Sequence, residues 1–266
     1  MEKGGILHYT NLISQLFEKI SHFAFYPKIQ ILINKFYIRI FNINMEEFDT
    51  LQSYPTLNAL FTRSLVKMRS FDKSEVAMIA PCDSVVMESG VCKENLAMQI
   101  KGKSYKIDDF IHHKIDENFF YVNFYLSPSD YHRFHAPVDL WVKKIAFIQG
   151  LLLPVNERSL YKNENLFIKN KRVVLECEDE FGNDLYYVAV GALNVGKIQI
   201  NLESKIANLK ENESFCYEKP IFVKKGDELG CFQMGSTIVM FSKNWEYNLK
   251  IKEKVLFGQQ IAKYKG

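Results

Sequence analysis

The tripeptide Gly235-Ser236-Thr237, near the end of the 266-residue chain, has the composition of a self-cleaving turn. Because glycine has no side chain, the Gly235 carbonyl is unhindered beside the Ser236 hydroxyl. In a strained turn with a nearby base, that hydroxyl can attack the carbonyl and move the acyl group from nitrogen to oxygen. The sequence therefore predicts cleavage between Gly235 and Ser236, provided that another part of the chain supplies the base.

Two histidines, His132 and His135, are candidates for that base. They lie three residues apart between two prolines, directly after an apolar run typical of a strand. Histidine titrates near neutral pH, and loops beside rigid elements often carry function. From the pattern alone three interpretations stay open: half of a metal site, general acid/base catalysis, or a pair satisfied in the core. His112 and His113 lack a matched ligand spacing, so we expect no metal.

Asp83 is the candidate partner of one of these histidines. It directly follows Ala80-Pro81-Cys82 and is flanked by apolar residues on both sides. Two interpretations are open: the carboxylate stabilises the turn, or it orients an imidazole in an Asp–His–Ser relay. In the relay, Asp83 holds the tautomer, one histidine of the pair takes the proton and Ser236 attacks.

The elements that must position these residues are mostly strands. After a short helical segment over 57–66, strand-like runs separated by turn residues recur at 118–126, 140–148, 172–177, 185–190, 197–202 and 237–241. No glycine-rich phosphate loop follows a strand. Five scattered cysteines indicate thiols in a reducing compartment. We predict an α+β fold, with a mainly antiparallel β catalytic body over 51–266 and amphipathic helices at the N-terminus.

Residues 1–50 are predicted to form the helical part of the fold. A helix over 11–25 carries an apolar stripe that includes Leu16, Ile20 and Phe23, and a second stripe follows Pro27. Five basic and two acidic residues within 1–44 account for the whole net charge of +3, so the body is neutral and offers no basic groove for nucleic acid. Two interpretations fit: docking in a membrane interface, or packing on the protein core. No run is long enough for a spanning helix.

Several motifs resemble those of phosphatidylserine decarboxylases of the short bacterial type. Their order matches over most of the chain, and the longest of them contains both histidines. The motifs lie at 55–63, 81–83, 101–105, 125–137, 154–156, 190–196, 226–232 and 234–237. The chain departs from the family pattern at Met234, where leucine is common, and at Ser84, where glycine is usual. If position 84 needs a positive φ angle, Ser84 strains the turn that holds Asp83.

The resemblance implies a role for each candidate residue. Asp83, His135 and Ser236 would form the self-processing triad that cuts the chain into residues 1–235 (β chain) and 236–266 (α chain). Ser236 would become a pyruvoyl group, the covalent cofactor. Its ketone would form a Schiff base with the amine of phosphatidylserine, and loss of carbon dioxide would give phosphatidylethanolamine. His132 would supply the proton for turnover.

The resemblance also implies partners and a location. The two fragments would stay associated, and the protein would be a homodimer. An enzyme that acts on a lipid headgroup must reach the bilayer, which favours interfacial docking of residues 1–50. We therefore expect peripheral attachment to the cytoplasmic side of the inner membrane, with phosphatidylserine as the substrate and no nucleic-acid partner.

Two alternatives remain. An Asp–His–Ser hydrolase that never cuts itself predicts an intact chain and a trappable acyl group on Ser236. A noncatalytic membrane-binding module is suggested by residues 224–232, which resemble the glycine-containing turns of lipoyl- and biotinyl-type folds. The module would not explain why the four candidate residues Asp83, His132, His135 and Ser236 occur together.

Overall fold

The computed structural model describes residues 16–100, 102–115, 118–193, 197–233 and 236–266. Its helices are α1 (which includes residues 16–22), α2 (Pro27–Phe41), α3 (Leu57–Phe61), α4 (Ile107–Ile111), α5 (Glu157–Lys162) and α6 (Leu166–Lys169), with 3-10 turns at Leu51–Ser53 and Ser204–Asn208. Its strands are β1 (Ala77–Ile79), β2 (Ser84–Val91), β3 (Leu96–Ile100), β4 (Lys103–Lys106), β5 (Phe120–Leu126), β6 (Arg133–His135), β7 (Leu140–Ile148), β8 (Arg172–Asp179), β9 (Asp184–Gly191), β10 (Ile198–Ile200), β11 (Glu213–Val223), β12 (Glu228–Phe232), β13 (Ser236–Ser242), β14 (Trp245–Tyr247), β15 (Lys254–Val255) and β16 (Gln260–Tyr264).

The central element is an eight-stranded sheet in the order β11-β7-β8-β9-β13-β5-β2-β15, in which every neighbouring pair is antiparallel. Strand β13 lies inside this sheet, and all seven of its residues are buried. A strand covered on both faces has a continuous apolar sequence rather than an alternating one, which explains the run Ile238-Val239-Met240-Phe241. The mixed architecture confirms the predicted α+β fold with a mainly antiparallel body.

Two small sheets, β1-β16-β14 and β10-β12-β6, cover one face of the central sheet. Short helices and the hairpin β3-β4 lie against the other face. Ser242 on β13 is 2.7 Å from the Tyr247 hydroxyl on β14, so the face carrying Ser242 is turned towards the first small sheet. Residues two apart on a strand share a face, so Ser236 points the same way. Phe241 points oppositely, with its ring 6.2 Å from that of Phe110 on α4.

The N-terminal helices turn their apolar stripe outward. Leu32 and Phe36 of α2 are 65% and 67% exposed, whereas Gln30 and Asn34 on the opposite side are buried. Gln30 donates to Asn34, and Asn34 donates to the Tyr54 carbonyl, so both buried amides bond inward, although Gln30 Oε1 has no partner among the described residues. Most of the apolar stripe of α2 is therefore exposed, whereas Tyr37 at its edge is buried in a small cluster with α3, so the stripe packs on the protein only in part.

Element ends differ from several expectations. The first helix ends at residue 22 rather than 25, and residues 11–15 of that prediction lie outside the described residues. Helix α3 ends at Phe61, five residues early; its next residue Thr62 bonds through Oγ1 to the Asn58 carbonyl, and Leu65 forms a bridge to Phe48. A small apolar cluster joins α2 to α3 across the expected boundary at residue 50, and the division into 1–50 and 51–266 stays a prediction. None of the described helices is long and apolar enough to cross a membrane.

Candidate active site

Ser236 is the first residue of β13 and lies between two neighbouring strands. It is paired with Leu126 at the end of β5 and with Gly191 at the end of β9. The side chain is fully buried, and its Oγ has no hydrogen-bond partner among the described residues. The preceding residues of the predicted cleavage motif, Met234 and Gly235, lie outside the described residues.

The loop that carries His132 and leads into β6 contacts residues on both sides of the predicted cleavage site. Leu126, where the loop begins, is paired with Ser236. His132, where it ends, accepts a hydrogen bond through its backbone carbonyl from Phe232 N–H, 3.0 Å away. Inside the loop, Asp130 accepts two bonds of 2.7 Å from the backbone and hydroxyl of Ser127. The loop is therefore compact, and its two ends contact Ser236 and Phe232, described residues on either side of the predicted cleavage site.

His132 is buried with one ring nitrogen unpaired. Its Nδ1 is 2.8 Å from the Asp130 carbonyl, and because a carbonyl only accepts, Nδ1 carries the proton. Its Nε2 has no partner among the described residues. The ring lies 3.9 Å from that of Phe61, centroid to centroid. Burial lowers the pKa of His132 to about 3, the nearby Arg63 adds to this, and the Asp130 carbonyl opposes it. At neutral pH the imidazole is uncharged.

His135 is also buried, but both of its nitrogens are engaged. Nδ1 donates to the Gly226 carbonyl at 2.9 Å, which leaves Nε2 as an acceptor for the Tyr131 hydroxyl at 3.1 Å. The ring stacks on Phe257, with centroids 3.8 Å apart and planes at 15°. Burial lowers the pKa of His135 to about 4, although the Gly226 carbonyl favours the charged form. This histidine is therefore a neutral base with a fixed tautomer.

Asp83 lies next to His135 in the fold without bonding to it. The His135 backbone N–H donates to the Pro81 carbonyl at 2.8 Å, which brings the two motifs together. The carboxylate of Asp83 instead accepts from the guanidinium of Arg69 and from the backbone N–H of Phe257 at 2.8 Å. Among the described residues no hydrogen bond joins Asp83 to His135. The carbonyl of Gly226 holds the tautomer that the relay assigned to Asp83.

Ser84 does not strain the turn at Asp83. It is the first residue of β2, paired with Val255 of β15, and its φ angle is not positive. Extended backbone of this kind accepts any residue, so the serine fits where the family usually has glycine. The concern raised by the sequence was therefore wrong.

Four residues near the candidates were missed by the sequence reasoning: Arg69, Tyr131, Gly226 and Phe257. Tyr131 and Gly226 lie inside motifs identified in the sequence, but nothing in those motifs indicates that both residues bond to the His135 ring. Arg69 and Phe257 had no signal, because neither belongs to a motif and both reach the site only through the fold. Among the described residues no cluster of three or more His, Cys, Asp or Glu side chains is arranged to hold a metal ion.

Comparison with known proteins places this site in a family. The sequence pattern described as phosphatidylserine decarboxylase matches residues 57–263, a span that includes Asp83, both histidines and Ser236. A Helicobacter pylori protein (strain Shi470) named phosphatidylserine decarboxylase proenzyme is 46% identical over 260 residues, 96% of this chain and 97% of the relative. The chain belongs to the phosphatidylserine decarboxylase family.

More distant relatives agree with this assignment. A Campylobacter jejuni protein with the same name is 40% identical over 263 residues, covering 94% of this chain and 97% of the relative. One from Plasmodium knowlesi is 32% identical over 256 residues, covering 88% and 72%. Membership of the phosphatidylserine decarboxylase family confirms the resemblance found in the sequence, and with it the expectation of a decarboxylase. The names of all three relatives call them proenzymes.

Proposed function

We propose that this chain cuts its own backbone between Gly235 and Ser236 and then converts phosphatidylserine to phosphatidylethanolamine, a step of phospholipid synthesis. One observation carries the proposal: the Ser236 hydroxyl is fully buried and has no hydrogen-bond partner in the described part of the chain. A hydroxyl that is not engaged in a hydrogen bond can act as a nucleophile once a base comes within reach. The names of the relatives support both halves of the proposal.

The self-cleavage uses the Ser236 hydroxyl once. Its Oγ attacks the Gly235 carbonyl carbon, an ester C–O bond forms, the peptide C–N bond breaks, and the serine nitrogen gains the proton. Elimination then breaks the ester and leaves dehydroalanine, and addition of water expels ammonia and leaves the ketone of a pyruvoyl group. The fragments are 1–235 and 236–266. Because β13 is paired with β5 and β9 along its whole length, they stay together after the cut.

His135 is the base that we assign to self-cleavage. A base must be unprotonated, and the lowered pKa of His135, about 4, ensures this at neutral pH. The Gly226 carbonyl fixes the proton on Nδ1, so the basic lone pair is on Nε2. That lone pair faces the Tyr131 hydroxyl rather than Ser236 in the structure, so we expect the imidazole or the cleavage segment to shift before proton transfer.

His132 is the residue that we assign to turnover. Burial lowers the pKa of His132 to about 3, so Nε2 carries no proton at neutral pH. The anionic headgroup of the substrate, once bound beside the ring, would raise this pKa because opposite charge stabilises the imidazolium. Nε2 could then donate a proton to the product carbon. The ketone made from Ser236 fits this buried position, and its chemical contribution is to accept the electron pair released as carbon dioxide leaves.

Intact-mass analysis under denaturing conditions tests the proposal. We expect the wild type as two fragments, with a ketone on the 31-residue fragment that reacts with a carbonyl probe. Ser236→Ala and His135→Ala should stay uncut, whereas His132→Ala should cut but decarboxylate phosphatidylserine poorly. His113→Ala, in which an exposed histidine is removed, serves as the matched control and should behave as the wild type.

Two results would overturn the proposal. An intact wild-type chain that nevertheless decarboxylates phosphatidylserine would exclude the self-cleavage mechanism. Cleaved His132→Ala protein with full activity would remove the role given to His132. The alternative of a hydrolase that never cuts itself is not favoured, because the relatives are named proenzymes, a name that implies processing of the chain.

We also propose that residues 1–50 dock on a membrane surface, with the outward apolar stripe of α1 and α2 in the interface. Exposed large apolar side chains recur along both helices and the connection between them, and they include Leu16, Ile20, Phe23, Tyr26, Ile29, Leu32, Phe36 and Ile40. A contiguous exposed apolar face marks an interaction surface. The nearby Lys28, Lys35 and Arg39 would favour anionic lipids by about 1 kcal/mol each. Attachment to the cytoplasmic side of the inner membrane is part of this proposal.

Flotation with vesicles containing phosphatidylglycerol tests the docking. The double variant Leu32→Asp/Phe36→Asp should bind vesicles much less than the wild type and keep its thermal stability, because both side chains are exposed. Ile251→Asp, which changes another exposed apolar residue, in a C-terminal turn, is the control. Equal flotation of the double variant and the wild type would disprove the role of this face. The homodimer stays a prediction, and light scattering in detergent would measure it.

A further inference from the structure

Arg69 lies between two carboxylates, one of them in the candidate active site. Its guanidinium donates from Nη1 and Nη2 to the two oxygens of Asp83, at 2.5 and 3.0 Å. From Nε and Nη2 it also donates to the two oxygens of Glu47, at 2.8 and 2.6 Å. The side chains of Arg69 and Asp83 are 14% and 8% exposed, whereas Glu47 is 46% exposed. The inner pair is therefore largely shielded from water, and the outer pair is not.

The Asp83 carboxylate has one further contact, which connects it to the imidazole. Phe257 N–H donates to Oδ1 at 2.8 Å, and the Phe257 ring stacks on His135. Phe257 also accepts a weak bond from Arg69 Nη1 through its carbonyl, at 3.5 Å. Arg69 therefore contacts both the Asp83 carboxylate and Phe257, the residue that connects this carboxylate to the imidazole of His135.

We infer that Arg69 is a positioning residue for self-cleavage, because it sets the direction of the Asp83 carboxylate beside His135. The inference rests on the proposed function, in which Asp83 takes part in the cut. A guanidinium is planar and always charged, and it can bond both oxygens of a carboxylate at once, which fixes the rotation of the carboxylate. Without Arg69, Asp83 would keep only the Phe257 N–H at a site with little access to water.

A merely structural role for Arg69 makes a different prediction. The segment 62–76, which has no helix or strand, crosses the surface beside the site, and the Arg69–Glu47 pair holds it to the N-terminal residues. If Arg69 only anchored this segment, removing Glu47 would be as harmful as removing Arg69. If Arg69 acts through Asp83, removing Glu47 leaves the decisive bonds in place. Because Glu47 is about half exposed, its pair with Arg69 is screened by water and contributes little.

The experiment measures the rate at which newly made full-length precursor is cut, for the wild type, Arg69→Gln, Arg69→Lys, Glu47→Gln and the control Lys67→Gln. Lys67 is an exposed cation two residues from Arg69. We expect Arg69→Gln to cut about 100-fold more slowly, a typical cost of a misplaced catalytic group, and Arg69→Lys to recover part of the rate. Glu47→Gln and Lys67→Gln should stay within about threefold of the wild type, as expected for exposed charges.

The same substitutions in the Ser236→Ala precursor, melted thermally, report on folding. Arg69→Gln that folds and cuts at the wild-type rate would overturn the inference, as would equal slowing by Arg69→Gln and Glu47→Gln. If Arg69→Gln does not fold, Arg69→Lys decides: slowing by about tenfold supports the inference, and an unchanged rate overturns it, because one ammonium cannot bond both oxygens. A wild type that is never cut would instead refute the proposed function.

Discussion

Acid should destabilise the uncut protein through its two buried histidines. The pKa values of His132 and His135 fall from the ordinary 6.5 to about 3 and about 4, because burial disfavours the charged ring. Between pH 6.5 and 4 the unfolded chain therefore binds protons that the folded chain excludes. Stability is fully present above pH 6.5 and is lost as the pH falls towards these lowered values.

The size of the loss follows from the same pKa values. Between pH 7 and pH 5 an unfolded imidazole becomes almost fully protonated, whereas both folded rings stay mostly neutral. Over this interval each histidine therefore lowers the free energy of unfolding by about 2 kcal/mol, and the two together lower it by about 4 kcal/mol. This loss is a large share of the free energy of unfolding of a typical domain, which is roughly 5–15 kcal/mol.

Urea unfolding of the Ser236→Ala precursor at pH 7 and pH 5, followed by far-UV circular dichroism, measures this loss. Adding His135→Gln removes one of the two titrating rings, so the double variant should lose about 2 kcal/mol less between the two pH values. The exposed His113→Gln in the same background is the control. An identical loss with and without His135 would refute the reasoning, because it would mean that this ring is not held neutral by burial.

Three further outcomes can be measured, with stability followed in the Ser236→Ala precursor and with cleavage and decarboxylation followed in the chain that keeps Ser236. Gly226→Ala should destabilise the precursor by about 1–3 kcal/mol and slow self-cleavage, because Gly226 has φ +85° and an added Cβ would meet the Phe71 ring; unchanged urea midpoint and cleavage rate would contradict this. Arg172→Met should cost about 3 kcal/mol, because the buried guanidinium donates to four carbonyls at the ends of α4 and α6; a loss below 1 kcal/mol in urea would show that those carbonyls find other partners. Lys254→Met breaks its 2.8 Å bond to the buried Asp130 carboxylate, so the cut enzyme should decarboxylate several-fold more slowly; full activity would show that this pair does not support the histidine loop.

The course of the strands could be predicted well because their signal is local. The apolar runs of β13 and of its neighbour β9 follow from burial on both faces, and β7 was predicted at its observed bounds. The orientation of α2 could not be predicted in the same way. Its apolar stripe was visible, but only the structure shows that Gln30 and Asn34 point inward and bond each other and the Tyr54 carbonyl.

The same difference between local and long-range information applies to the candidate site. Asp83, His132, His135 and Ser236 were found because each lies in a motif, and their types alone indicate acid/base and nucleophilic chemistry. Their hydrogen-bond partners were not found. His135 bonds to a carbonyl 91 residues away, and Asp83 accepts from a backbone N–H 174 residues away. Contacts over such separations depend on how the sheets stack, which no local pattern reports.

By itself the sequence determined which residues can do the chemistry, where the chain could be cut and that the body is a β-rich fold with amphipathic helices in front. These properties depend on residue type and on the spacing of apolar positions, so they can be read from neighbouring residues. The tertiary structure decided that Gly226 rather than Asp83 holds the imidazole, that Arg69 holds Asp83, and that both histidines are neutral. Each depends on burial and on groups distant in sequence, because hydrogen-bond partners and desolvation exist only once the chain has folded.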